Sequence, residues 1–298
     1  MDDASRLVHD TYVQIRDSMQ KRWPTVNELP RNPENPAAEY GFVLPNLATS
    51  LCVVRVGRTP DGTVRLNLWA PAALGIEPTA GLYQTVGRES VHWAFGCLGV
   101  FPTPAPDRYD LAFDYSIPTA ALAPALLDRL IRGLVIAASD MGSRLRGQPD
   151  EKLPGVALAS PQPTKDQAYR QVGEWLVARW PETHADPQVW GYHVHLAEAG
   201  EAAVTLDETS DGTVRLVVSS IVARDVRPGP ELYERIGHVA TDFLFGTIGV
   251  YPDEQPEKHN VAFHYAIPAA ALSPNVVHHL VRMTMSSAAD VARAWLLG

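Results

Sequence analysis

The chain of 298 residues is long enough for one large domain or two ordinary ones, and 46% hydrophobic against 20% charged residues excludes a disordered composition. A formal charge of −9, acidic in both halves, leaves no basic stripe for nucleic-acid phosphates and disfavours anionic membrane surfaces. No apolar run approaches the roughly 20 residues that cross a bilayer, and the start Met1-Asp2-Asp3 lacks the basic and apolar regions of a secretory signal, so a soluble cytoplasmic protein is expected.

The first predicted element is an amphipathic helix over 4–22. There Leu7, Val8, Tyr12, Ile15 and Met19 fall near helical spacing before Trp23-Pro24 stops the run. A loop rich in proline and asparagine follows over 25–39. Then come β-rich runs at 41–44, 50–56 and 64–68. The last two are joined through Asp61-Gly62, a strong hairpin signal because glycine accepts positive φ. Leu82, Val86 and Trp93 mark a second helix whose apolar stripe is interrupted at Glu89. Strands are expected at 95–101 and 109–117; in the second, Leu111, Phe113, Tyr115 and Ile117 alternate with Ala112, Asp114 and Ser116, which predicts one buried face. A third helix opens at Pro124 and runs to about residue 144. Cys52 and Cys97, in the apolar runs 51–56 and 95–100, read as buried, reduced thiols.

The same elements then return. The hexapeptide DGTVRL at 61–66 recurs letter for letter at 211–216, an offset of 150 residues that holds without a gap to the end of the chain. Leu82 and Tyr83 fall on Leu232 and Tyr233, Phe113 and Tyr115 on Phe263 and Tyr265, and Pro124 on Pro274, which follows the capping hydroxyl of Ser273. Upstream, Tyr12 and Trp23-Pro24 match Tyr169 and Trp180-Pro181 only after the offset grows by seven residues, so the first copy carries the longer 25–39 loop. The helix over 4–22 is repeated over 165–180. Four prolines within 147–163 make that stretch an extended linker between domains at 1–146 and 164–298. Each copy reads α-β-β-β-α-β-β-α, an α+β fold with helices packed on an antiparallel sheet and the copies paired as a pseudo-twofold tandem.

This order, together with the strand-to-helix passage at 111–118 and 127–134, resembles the type III secretion chaperones of the CesT kind and the YbjN-like proteins. The resemblance spans both copies and rests on pattern rather than on a single motif. It implies a peptide- or protein-binding chaperone or adaptor, usually dimeric, here fused into a covalent pseudo-dimer that is a monomer or a homodimer.

Chemical motifs are scarce. A phosphate loop, a serine nucleophile elbow, an HExxH helix and a CxxC pair are absent from the sequence. Gly96 and Gly99 lie between a helix and a strand, the wrong context for a dinucleotide fingerprint, and no cofactor is expected. His193 and His195 on one strand and His264 on another point away from the Tyr192/Val194 and Phe263/Tyr265 faces by alternation. Three imidazoles on one sheet face would suit a divalent metal and hence a metal-dependent enzyme, the alternative reading, but the first copy has Val43, Pro45 and Asp114 there, and no metal site is expected. Asp110 and Asp114 are expected to be solvated carboxylates, and His278-His279 a partly exposed helix face. Trp23, Trp93 and Trp180 fall to core or hinge positions, whereas Trp69 and Trp190 are the candidate anchors of a peptide groove.

Overall fold

The computed structural model describes residues 3–23, 25–47, 50–59, 62–89, 96–119, 122, 124–147, 162–197, 200–209, 212–239, 246–252 and 258–297. Trp93, Phe95 and most of the expected linker lie outside them. The described residues form an α+β fold of six helices and two six-stranded antiparallel sheets. In chain order the first half supplies α1 (Asp3–Gln20), β1 (Asn27–Glu28), β2 (Tyr40–Leu47), β3 (Ser50–Arg58), β4 (Val64–Ile76), α2 (Ala80–Glu89), β5 (Cys97–Pro102), β6 (Tyr109–Pro118) and α3 (Pro124–Leu145). The second supplies α4 (Lys165–Arg179), β7 (His184–Asp186), β8 (Gly191–Leu196), β9 (Gly200–Glu208), β10 (Val214–Val226), α5 (Pro230–Val239), β11 (Thr247–Pro252), β12 (His259–Pro268) and α6 (Pro274–Leu297). The sheets have the orders β1-β2-β3-β4-β6-β5 and β7-β8-β9-β10-β12-β11.

Two differences from the sequence reading concern the strands. Each sheet begins with a strand that was not expected, β1 of two residues and β7 of three, both too short to show an alternating pattern. And β4 runs to Ile76 rather than stopping near Leu68, although Pro71 and Gly75 argue against a strand. The ladder accommodates them because the β4–β6 register shifts just after Pro71, where a proline costs no regular hydrogen bond.

The chain separates into two compact units, Met1–Pro78 with Leu98–Ala159 and Thr79–Cys97 with Ser160–Gly298. Compared with a cut in the linker, the segment carrying α2 belongs to the second unit. In the first unit, Val8, Tyr12, Ile15 and Met19 of α1 and Leu127, Leu130, Ile131 and Leu134 of α3 are buried against one sheet face. Phe42, Val54, Leu66, Leu68, Phe113 and Ile117 supply the sheet's side of this core. Cys52 is buried there, and burial pushes its thiol up to about 12. In the second unit α4 and α6 do the same over Tyr192, Val194, Val204, Leu216, Val218 and Phe263.

The predicted punctuation is visible in local geometry. Gly62 and Gly212 take φ of +86° and +79°, and in both hairpins the Thr59 and Thr209 amides bond to the carbonyls of Thr63 and Thr213 at 2.9 Å. The Val276 amide donates to Ser273 Oγ at 3.3 Å ahead of α6, and Thr164 and Gln167, which the sequence reading did not single out, form a reciprocal capping box at the start of α4.

Within the second unit α2 lies along α5, and two tyrosines occupy the space left by two glycines. A Cβ on Gly87 would sit 2.5 Å from Tyr233 Cδ1, and one on Gly237 would sit 2.3 Å from Tyr83 Cδ1. The matched sequence positions thus meet reciprocally. Gly87→Val and Gly237→Val are each expected to lower stability by about 1–3 kcal/mol through overpacking, measured by urea denaturation. Unchanged midpoints in both variants would show that the helices are not packed this closely.

Candidate functional site

A cleft of about 480 Å³ in the second unit is lined by residues of β8, β9 and β10 and by the C-terminal half of α6. Its helix wall is Ala288, Ala289 and Ala292, and its sheet side includes Ile221 and Ser219. His193, Glu201 and Arg224 supply its charged and titratable groups. The volume falls in the range of ligand-binding clefts.

The local sequence explains the opening. The β10 register shifts after Ile221, and a bulge bends a strand away from its ladder. On α6, alanines leave space that larger residues would fill. The first copy shows the effect of one methyl group. Gly142, matched to Ala292, lets α3 come so close to β4 that an added Cβ would lie 2.5 Å from the Ala72 carbonyl oxygen. Ala292 already carries that Cβ, so α6 cannot approach its strand in the same way. The polar rim also differs: Glu201 and Arg224 of the second copy match Leu51 and Leu74 of the first.

On the rim, His193 Nδ1 lies 3.3 Å from Glu201 Oε1, and both side chains are exposed. Ser220 is anchored, its hydroxyl donating to the Glu201 carbonyl at 2.8 Å. Ile221, 40% exposed, offers apolar surface at the mouth, and Arg224 an exposed guanidinium.

The sequence candidates fare unevenly. His193 and His195 do point away from the buried Tyr192/Val194 face. His264, placed by alternation away from the Phe263/Tyr265 face, is only 8% exposed, its ring edge-on to Tyr251 with centroids 5.8 Å apart. Register runs His193 to Ala203, Ala203 to Ser219 and Ser219 to His264. The first and last of these residues share a face but lie three strand spacings apart, about 14 Å, beyond the reach of one ion with nitrogen ligands about 2 Å away. The three-imidazole centre is therefore not assembled. Among the described residues no three His, Cys, Asp or Glu side chains converge on a possible metal position.

Trp69 is half-buried in the first unit, opposite Val53 and Asp114 in the ladder and edge-on to Phe101 at 6.5 Å. Trp190 caps a short 3₁₀ turn in the left-handed region, φ +52°, with its ring edge-on to Tyr169 and the Lys165 ammonium 5.1 Å from its centroid. That packing gives Trp190 a structural task. His278 is likewise engaged, Nε2 lying 2.9 Å from the Trp175 carbonyl.

Asp110 accepts the Gly75 amide at 2.9 Å and so ties β6 to β4. Asp114 departs from the solvated carboxylate expected of it. It accepts from Asn67 Nδ2 at 2.6 Å in a cluster where Asn67 and the buried Arg65 both donate to Ser116 Oγ at 3.1 Å. Burial pushes its carboxyl up to about 6, against the opposing hydrogen bond from Asn67 and the Arg65 charge. Burial also lowers the Arg65 pKa.

Fold and cleft together define a two-unit α+β protein with an open groove beside a sheet. No protein-family model matches this chain, and no curated protein matches it. No described helix is long and apolar enough to cross a membrane.

Proposed function

We propose that the protein is a non-enzymatic chaperone or adaptor of the CesT-like and YbjN-like kind, its two copies acting as a covalent pseudo-dimer that holds a peptide or protein client. One observation carries the reading: the open cleft that brings the alanines of α6 together with apolar and polar residues at the bulge of β10. A segment with small apolar side chains would lie along the wall, its polar backbone meeting the rim at Glu201 and Arg224. The identical strand orders of the two sheets agree with a duplicated module, while the closer approach at Gly142 makes the second copy the client-holding one. The enzyme alternative loses its support with the separation of His264 from His193.

The reading is tested by selecting peptides from a displayed random library on the full chain. Enriched peptides are expected to lose at least about tenfold in affinity to Ala289→Trp, because filling a pocket removes the contacts that carry binding energy. They should keep their affinity for Leu7→Gln, a change on exposed α1 surface. No enrichment, or enrichment indifferent to Ala289→Trp, would refute it.

A further inference from the structure

The edge of the second sheet carries histidines beyond the three singled out from the sequence. His184 on β7 stands directly opposite His193 on β8, and both are exposed. Directly opposed residues share a face, with Cβ atoms about 4.5–5.5 Å apart. Two exposed imidazoles at that separation can turn about χ1 and χ2 to bring one nitrogen each within about 2.0–2.1 Å of a single ion. The Glu201 carboxylate, 3.3 Å from His193 Nδ1, favours the proton on that nitrogen and leaves the Nε2 lone pair for a metal. A carboxylate behind a histidine also makes it the better ligand.

The first copy shows that none of these residues is needed by the fold. There Asn27 stands opposite Val43 in the corresponding pair, and Leu51 takes the place of Glu201. The histidine pair and its carboxylate are thus particular to the second copy.

We propose that His184 and His193 form a two-imidazole chelate for a late divalent transition-metal ion, with Glu201 orienting His193. Imidazole ligands suit copper, nickel and zinc, and Cu²⁺ binds most tightly in the general affinity order. Glu201 reaches His193 alone, and no three His, Cys, Asp or Glu among the described residues converge on a metal position, so water would complete the coordination. The chelate shares His193 and Glu201 with the rim of the cleft, but its test reads copper alone and needs no client.

The test is a Cu²⁺ titration of the full chain, followed by calorimetry and by nitrogen hyperfine structure in the electron paramagnetic resonance spectrum. One equivalent bound by two imidazole nitrogens is expected, with His184→Ala and His193→Ala each weakening binding and reducing the nitrogen count by one. Glu201→Gln should weaken it about tenfold while keeping both nitrogens, the effect of a partner behind the ligand. His195→Ala should bind as the parent does. All four positions are exposed, so unchanged thermal midpoints will separate lost binding from lost fold. Binding that survives both His184→Ala and His193→Ala, or that depends on His195 in place of His184, would overturn the proposal.

Discussion

Phe113→Ala and Phe263→Ala are each expected to cost about 3–5 kcal/mol, the usual range for emptying a phenyl ring from a closed core. The two residues are the repeat's counterparts at positions 113 and 263, on β6 and β12, and both have no exposed surface. Phe113 pairs with Ala70 and Phe263 with Ser220, matched positions of β4 and β10. Each change leaves a cavity between sheet and helices that neighbours such as Leu68 or Val218 cannot fill without leaving their own rotamers. Urea denaturation followed by tryptophan fluorescence will read the losses, fitted to two transitions if the units unfold separately. Similar costs are expected of both variants. A large loss from one and almost none from the other would show that the two cores are not equivalent.

The second large effect depends on pH. Asp114 has a folded-state pKa of about 6 against a reference of 3.8. Its folded value is raised, so the folded state holds the proton more tightly than the unfolded state does. The resulting contribution to stability is fullest below about pH 4 and is lost as pH rises through about 6. At about 1.4 kcal/mol per unit, the loss amounts to as much as ~3 kcal/mol. Asp114→Asn keeps a carbonyl acceptor for Asn67 but cannot ionise, and is expected to remove this dependence. Stability of both proteins at pH 4 and pH 7 gives the result directly: the variant should gain on the parent between the two. A parent-to-variant difference that is the same at both pH values would contradict a half-buried, hard-to-ionise carboxyl.

Much of the fold was legible because its punctuation is chemical. Asp-Gly signalled positive φ at Gly62 and Gly212, and Ser273-Pro274 marked the start of α6. Alternation at Tyr192 and Val194 identified a buried face, but on β6 Ala112 and Ser116 are buried along with Phe113 and Ile117, so the single buried face expected of that strand is not what the sheet shows. What stayed hidden depends on pairing between strands, which a single sequence does not display. The extension of β4 past Pro71 is permitted by a register shift supplied by β6. His184 was not singled out in the sequence, and it is β7, too short to show a pattern, that sets it opposite His193. His264 was assigned outward correctly by alternation, but pointing away from the helices is not the same as meeting solvent, and the ring lies against Tyr251. The cleft was not legible at all, because Ala288, Ala289 and Ala292 are ordinary helix residues. Only the comparison of Ala292 with Gly142 reveals what their size does.

A client segment held by the second unit against α6, as proposed, would shield the backbone there from solvent. Hydrogen exchange of the full chain, with and without a peptide enriched on it, measures that shielding residue by residue. Slowed exchange is expected in 219–224 and in 286–293, the two walls of the cleft, with the matched stretches 69–74 and 136–143 of the first copy unchanged. Protection confined to the first copy, or to surfaces away from both walls, would contradict it.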